Sequence, residues 1–117
     1  MDVRVENWFL DIRDAAVDAV SFVEGLGEVD FLKDKRTQNA VAMCLVRIGE
    51  TVAKALKKYP TLRDEYPTFP WNEMKGFRNR IAHGYTDINF IVVWETVRDD
   101  LPNMIESVSA ILAADLK

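Results

Sequence analysis

The chain has 117 residues, 49% of them hydrophobic and 29% charged, with a formal net charge of −4 and a pI near 5.0. This length buries one core and not two, and the composition is that of a globular domain and not of a disordered tail. The acidic balance disfavours extended wrapping of a nucleic acid and leaves room only for a small local cluster of positive charge.

The amino-terminal stretch MDVRVENWFL lacks the basic start and long apolar run of a signal peptide. Nowhere does the chain approach the roughly 20 apolar residues that span a bilayer, so a cytoplasmic protein without membrane contact is expected. Val5, Phe9, Ile12, Ala16, Val20 and Val23 recur at three- and four-residue steps, which predicts an amphipathic helix from about residue 4 to 24. The GLG at 25–27 stops it, because glycine tolerates the left-handed turn that follows a helix.

A second helix begins between Asp30 and Arg36 and carries Val41, Leu45, Ile48, Val52 and Leu56 down one stripe. It closes at KKYP, where Pro60 pushes the preceding residue out of helical geometry. Ala42, Met43, Val46 and Ala53 lie mostly on its other side, with Glu50 in their midst. A helix apolar on two sides is either central in its own bundle or shared with another chain. Periodicity allows both; the small interior available to a chain of this size adds weight to the shared, dimeric arrangement. Cys44, the lone cysteine, excludes an intrachain disulfide and fits a reducing compartment.

The segment from Pro60 to Pro70 holds three prolines and reads as a connector with at most one short helix. A third helix fits PWNEMKGFRNRIAH, with Pro70 near its first position and Gly84 just past its end. A fourth pattern starts after Asp87, a residue suited to capping, and runs towards Leu116 with a break or kink at Pro102. INFIVVW, taken by itself, suits helix or strand. The expectation is one all-α domain over residues 1–117: an antiparallel up-and-down bundle of four main helices, the last kinked near Pro102.

FRNRIAHGYTD, residues 77–87, concentrates the polar chemistry. With about 100° of turn per residue from Met74, Trp71, Phe77 and Ile81 share the core face, and Arg78 falls inside that apolar stripe. A guanidinium held there is costly unless it meets a carboxylate, a phosphate or water, and Glu50 and Asp87 are both candidate partners. Asn79 and His83 fall on the opposite side. His83 sits at the helix carboxyl end, which favours the imidazolium, and Asn79 lies one turn earlier, within reach of its ring. Lys75 and Arg80 are expected on the solvated face. A lone histidine at a helix end is commonly a cap, and such an arginine commonly half of an ion pair; their concentration at one terminus argues for function. Arg78 and His83 stand about 140° apart on one helix, so gripping one phosphate needs either an unwound helix end or two copies meeting across a two-fold axis. With one His and one Cys, neither a metal nor any other cofactor is expected.

RNRIAHGY resembles the signature of HEPN domains: an arginine, a polar residue, a spacer and a histidine. The tyrosine two places further resembles the HepT-like toxin branch, as do RIGETVAKAL at 47–56, YPTFPWNEMKGFRNRIAHGY and VVWETVRDDLP. The resemblance implies a homodimeric bundle whose paired motifs line one cleft, acting as a metal-independent endoribonuclease. It implies a toxin of a type VII-like pair, encoded beside a minimal nucleotidyltransferase antitoxin that transfers AMP to Tyr85. Arg78, Asn79 and His83 match its catalytic positions, with Glu50 a possible supporting group. Some HEPN domains bind RNA, nucleotides or partners without cleaving them, which is the alternative.

Overall fold

The computed structural model describes residues 1–77, 79 and 86–115. Asp2 opens the first helix, α1 (Val3–Phe22), by accepting a hydrogen bond from the Arg4 backbone N–H at 2.7 Å. Its buried face is Val5, Phe9, Ile12, Ala15, Ala16 and Ala19. Three of these are alanines, so the backbone of α1 lies close to its neighbour. Val20, expected on the core stripe, is only half-buried, while Val23, just beyond the helix, is buried. Gly25 then takes φ +80°, the left-handed conformation that its missing Cβ makes inexpensive.

The second predicted helix is α3 (Lys35–Lys58), which starts inside the expected interval, and a short helix not predicted, α2 (Glu28–Lys33), precedes it. Asp34 ends one and caps the other. Its carboxylate accepts the Thr37 hydroxyl at 2.6 Å and the Thr37 backbone N–H at 3.1 Å. These bonds, the hydroxyl first, hold its carboxyl below the ordinary carboxylate range. Buried Gln38 donates to the Phe31 carbonyl at 2.9 Å and ties α2 to α3. Phe31 itself is fully buried against Trp94, with ring centroids 5.3 Å apart.

Val41, Leu45, Ile48 and Val52 of α3 are completely buried, as the stripe predicts. The helix packs against α1, against α2 and against helices to either side of the motif, so it is the central helix of its own bundle. On its second side Ala42 is buried and Val46 and Ala53 are half-buried, but Met43 keeps 54% of its surface in solvent.

The proline-bearing connector holds one short helix, α4 (Leu62–Glu65), and is packed rather than loose. Phe9 of α1 meets Tyr66, Phe69 and Trp71 at centroid distances of 5.2, 5.6 and 5.7 Å, mostly edge to face. The Trp71 indole N–H donates to the Tyr66 carbonyl at 2.9 Å. This cluster fixes where α5 (Trp71–Lys75) starts.

The last helix begins later than expected and takes a different cap. Asp87 is exposed in a bend, whereas the Asn89 side chain accepts the backbone N–H groups of Ile91 and Val92 at 3.1 and 3.2 Å. INFIVVW is thereby resolved, since α6 (Phe90–Glu95) is helical. A π-helical turn, Thr96–Asp100, leads without interruption into α7 (Leu101–Ala114). Pro102 has no N–H, and its ring crowds the carbonyl four residues back. Widening the preceding turn by one residue relieves that conflict, with Leu101 N–H reaching the Thr96 carbonyl. The irregularity predicted at Pro102 is thus a π turn ahead of it. Every regular element among the described residues is a helix, and the fold is an all-α bundle.

Candidate functional site

Trp71, Met74 and Phe77 are all buried, the core face that helical spacing predicts for the third helix. That helix is not uniform. Gly76 caps α5, its N–H bonding to the Asn72 carbonyl at 3.1 Å, and Phe77 is helical again. A Cβ at Gly76 would stand 3.3 Å from that same carbonyl oxygen, closer than ordinary contact, so this bend favours glycine. Buried Phe77 anchors the backbone immediately before Arg78.

Of the predicted site residues, Asn79 is helical and exposed to solvent. Glu50 is exposed on α3 and has an interaction partner. Helix α5, which precedes the motif in the chain, packs on α3. Arg78, His83 and Tyr85 lie outside the described residues, as does Arg80. So do the expectations that placed Arg78 in the apolar stripe and His83 at the helix end. Lys75 is exposed, as expected.

Charge around this end of the molecule went unread in the sequence. Lys57, Arg63 and Lys75 converge on a depression of about 550 Å³ with Ala53, Leu56 and Pro60. The signal was available in the uneven placement of acidic and basic residues along the chain. A separate groove of about 450 Å³, between the end of α1 and α7, is mostly apolar, with Glu24 and Arg98 among its few polar residues. Among the described residues no group of His, Cys, Asp or Glu is placed to hold a metal ion. None of the described helices is long and apolar enough to cross a membrane.

The family model described as ribonuclease HepT-like matches residues 12–111. A "Putative RNase" of Methanocaldococcus jannaschii is 33% identical over 111 residues, spanning 95% of this chain and 88% of that protein. The "Probable ribonuclease HepT" of Thermococcus cleftensis is 32% identical over 99 residues, spanning 85% and 87%. A "Putative RNase" of Caldanaerobacter subterraneus is 32% identical over 90 residues, spanning 77% and 78%. No solved structure matches the chain. With its match running through the bundle and the motif alike, this chain belongs to the HepT-like ribonuclease family.

Proposed function

We propose that the chain is a metal-independent endoribonuclease, the toxin of a type VII-like pair with a minimal nucleotidyltransferase antitoxin, working as a homodimer. One observation carries this reading: RNRIAHGY follows directly on a buried anchor, Phe77, in a chain of the HepT-like ribonuclease family. The exposure of Asn79 beside that anchor supports a site there, and that of Met43 on α3 supports a contact surface for a second copy.

The chemistry is an internal transesterification. The ribose 2′-oxygen forms a bond to phosphorus as the bond from phosphorus to the 5′-oxygen breaks. His83 moves a proton from the 2′-hydroxyl or to the leaving 5′-oxygen. Arg78 stabilises the charge that builds on the pentavalent phosphate. Asn79 positions His83 or a phosphate oxygen, and Glu50 supports the site from α3. The partner subunit's copy of the motif completes the cleft. AMP on Tyr85 brings bulk and negative charge beside it and repels substrate phosphate.

Purified protein incubated with RNA in excess chelator is expected to yield 2′,3′-cyclic phosphate and 5′-hydroxyl ends. A strict requirement for Mg²⁺ contradicts the mechanism. RNA binding with no cleavage under any condition favours a non-catalytic binding module instead. Co-expression with the nucleotidyltransferase is expected to add one or more AMP units to the mass, an addition lost in Tyr85→Phe.

A further inference from the structure

Acidic and basic side chains are segregated along this chain. Residues 1–34 carry nine carboxylates and three basic groups; residues 86–115 carry six and one. Between Ala53 and Lys75 the balance reverses, with five basic residues against three acidic ones. Three of those five come from separate helices, Lys57 from α3, Arg63 from α4 and Lys75 from α5, and meet at the same depression of about 550 Å³.

All three side chains are exposed, and no described carboxylate forms an ion pair with any of them. The acids of the same stretch are placed elsewhere. Glu65 accepts the Thr61 hydroxyl at 2.9 Å, Asp64 is not part of the lining, and Glu73 borders a different depression that shares only Arg63 with this one. Three like charges around one hollow repel each other until an anion lies between them. Helix α5 ends at Lys75, and Arg78 follows three residues later in the chain.

We propose that Lys57, Arg63 and Lys75 form a phosphate-binding subsite that holds the sugar–phosphate backbone of the RNA substrate next to the cleavage position, an assignment that rests on the ribonuclease function proposed above. Among the described residues the rest of the lining, Ala53, Leu56 and Pro60, offers a base neither an aromatic ring to stack on nor a side-chain hydrogen bond. Such a surface grips phosphates without reading sequence, which suits a strand better than a free nucleotide. It also gives an acidic protein a local hold on RNA, because three basic groups meet at one hollow.

The probe is a fluorescent 2′-O-methyl oligoribonucleotide, which lacks the attacking hydroxyl and so reports binding without cleavage. In Lys57→Gln/Arg63→Gln/Lys75→Gln protein, affinity at 0.1 M salt is expected to fall about 100-fold, and the plot of log affinity against log salt to flatten by about 2. The matched control Lys33→Gln/Lys35→Gln/Arg36→Gln alters the far end of α3, about 30 Å away at 1.5 Å per residue, and is expected to change neither.

Unchanged affinity and salt slope in the first variant overturn the subsite; cleavage of unmodified RNA by the wild type then shows that the nuclease function survives. A wild type that does not bind the probe also overturns it. Displacement of the probe by millimolar ATP, lost in the first variant, overturns it in favour of a free-nucleotide site. A wild type that binds through these residues yet cleaves no RNA leaves the subsite standing and removes the nuclease function.

Discussion

The seam between α1 and α3 and the end of the bundle built by α3, α4 and α5 use the same central helix for opposite purposes. Along the seam, Ala15, Ala16 and Ala19 lie buried with Leu45, Ile48 and Val52, and no charged side chain among the described residues is buried. The exposed surface of α1 there is acidic, with Asp11, Asp14 and Asp18 facing solvent. Two turns of α3 further on, the exposed residues become Lys54, Lys57 and Lys58. Close packing leaves no space for a substrate, and an acidic face repels phosphate. The hollow lined by Lys57, Arg63 and Lys75 is by contrast open and positive, the kind of surface that suits an anion. The core and the proposed site rest largely on different residues, so a substitution in the site is expected to spare the core.

His83→Ala tests that separation most sharply. Loss of a proton-transfer group is expected to slow RNA cleavage by about 10²–10⁴-fold, while the melting temperature barely moves. A large fall in melting temperature with cleavage intact would reverse the assignment and make the histidine structural. Phe9→Ala is the opposite experiment, removing the ring that Tyr66, Phe69 and Trp71 all touch. Truncating such a buried aromatic costs about 3–5 kcal/mol, read as a lower denaturation midpoint. Because the same cluster fixes the start of α5, the surviving folded fraction is expected to cleave RNA more slowly as well.

The smallest effect concerns Asp34, at the junction of α2 and α3 and outside both regions. Its carboxyl is held below its ordinary value of 3.8 by Thr37, so the ionised form is the one that stabilises the fold. That contribution is complete above the ordinary value and disappears as pH falls through the lower folded value. The difference in melting temperature between wild type and Asp34→Asn is therefore expected to be flat from neutrality to about pH 5 and to shrink below pH 4. A difference that grows on acidification would show the opposite sign of linkage.

The helices of this protein are legible in its sequence where a local rule is strong. The stripe Val41, Leu45, Ile48 and Val52 is buried as its spacing demands, and GLG ends α1 through a left-handed Gly25. The core face of Trp71, Met74 and Phe77 follows from the same periodicity. Caps were less legible. Asp87 and Asn89 both suit the start of the last helix, and only the path of the chain selects Asn89. The short α2 was not legible, and Asp34 fixes the start of α3 because its carboxylate finds Thr37, a bond periodicity does not encode. Pro102 announced an irregularity, but whether a helix breaks, kinks or widens depends on what lies against it.

The motif was the most legible part of all, since arginine, asparagine, histidine and tyrosine at fixed spacing need no fold to be noticed. By itself the sequence determined the helical class and the core stripes and marked the residues proposed to carry chemistry, because these patterns depend on neighbours within a turn or two along the chain. Only the tertiary structure decided that α3 is central, that the proline-bearing connector is packed through Phe9, and that Lys57, Arg63 and Lys75 share one hollow. Those three residues are spread over 19 positions of sequence, and nothing local draws them together. Burial of aromatic side chains from the connector does so, and the charges are carried along with the backbone that burial folds.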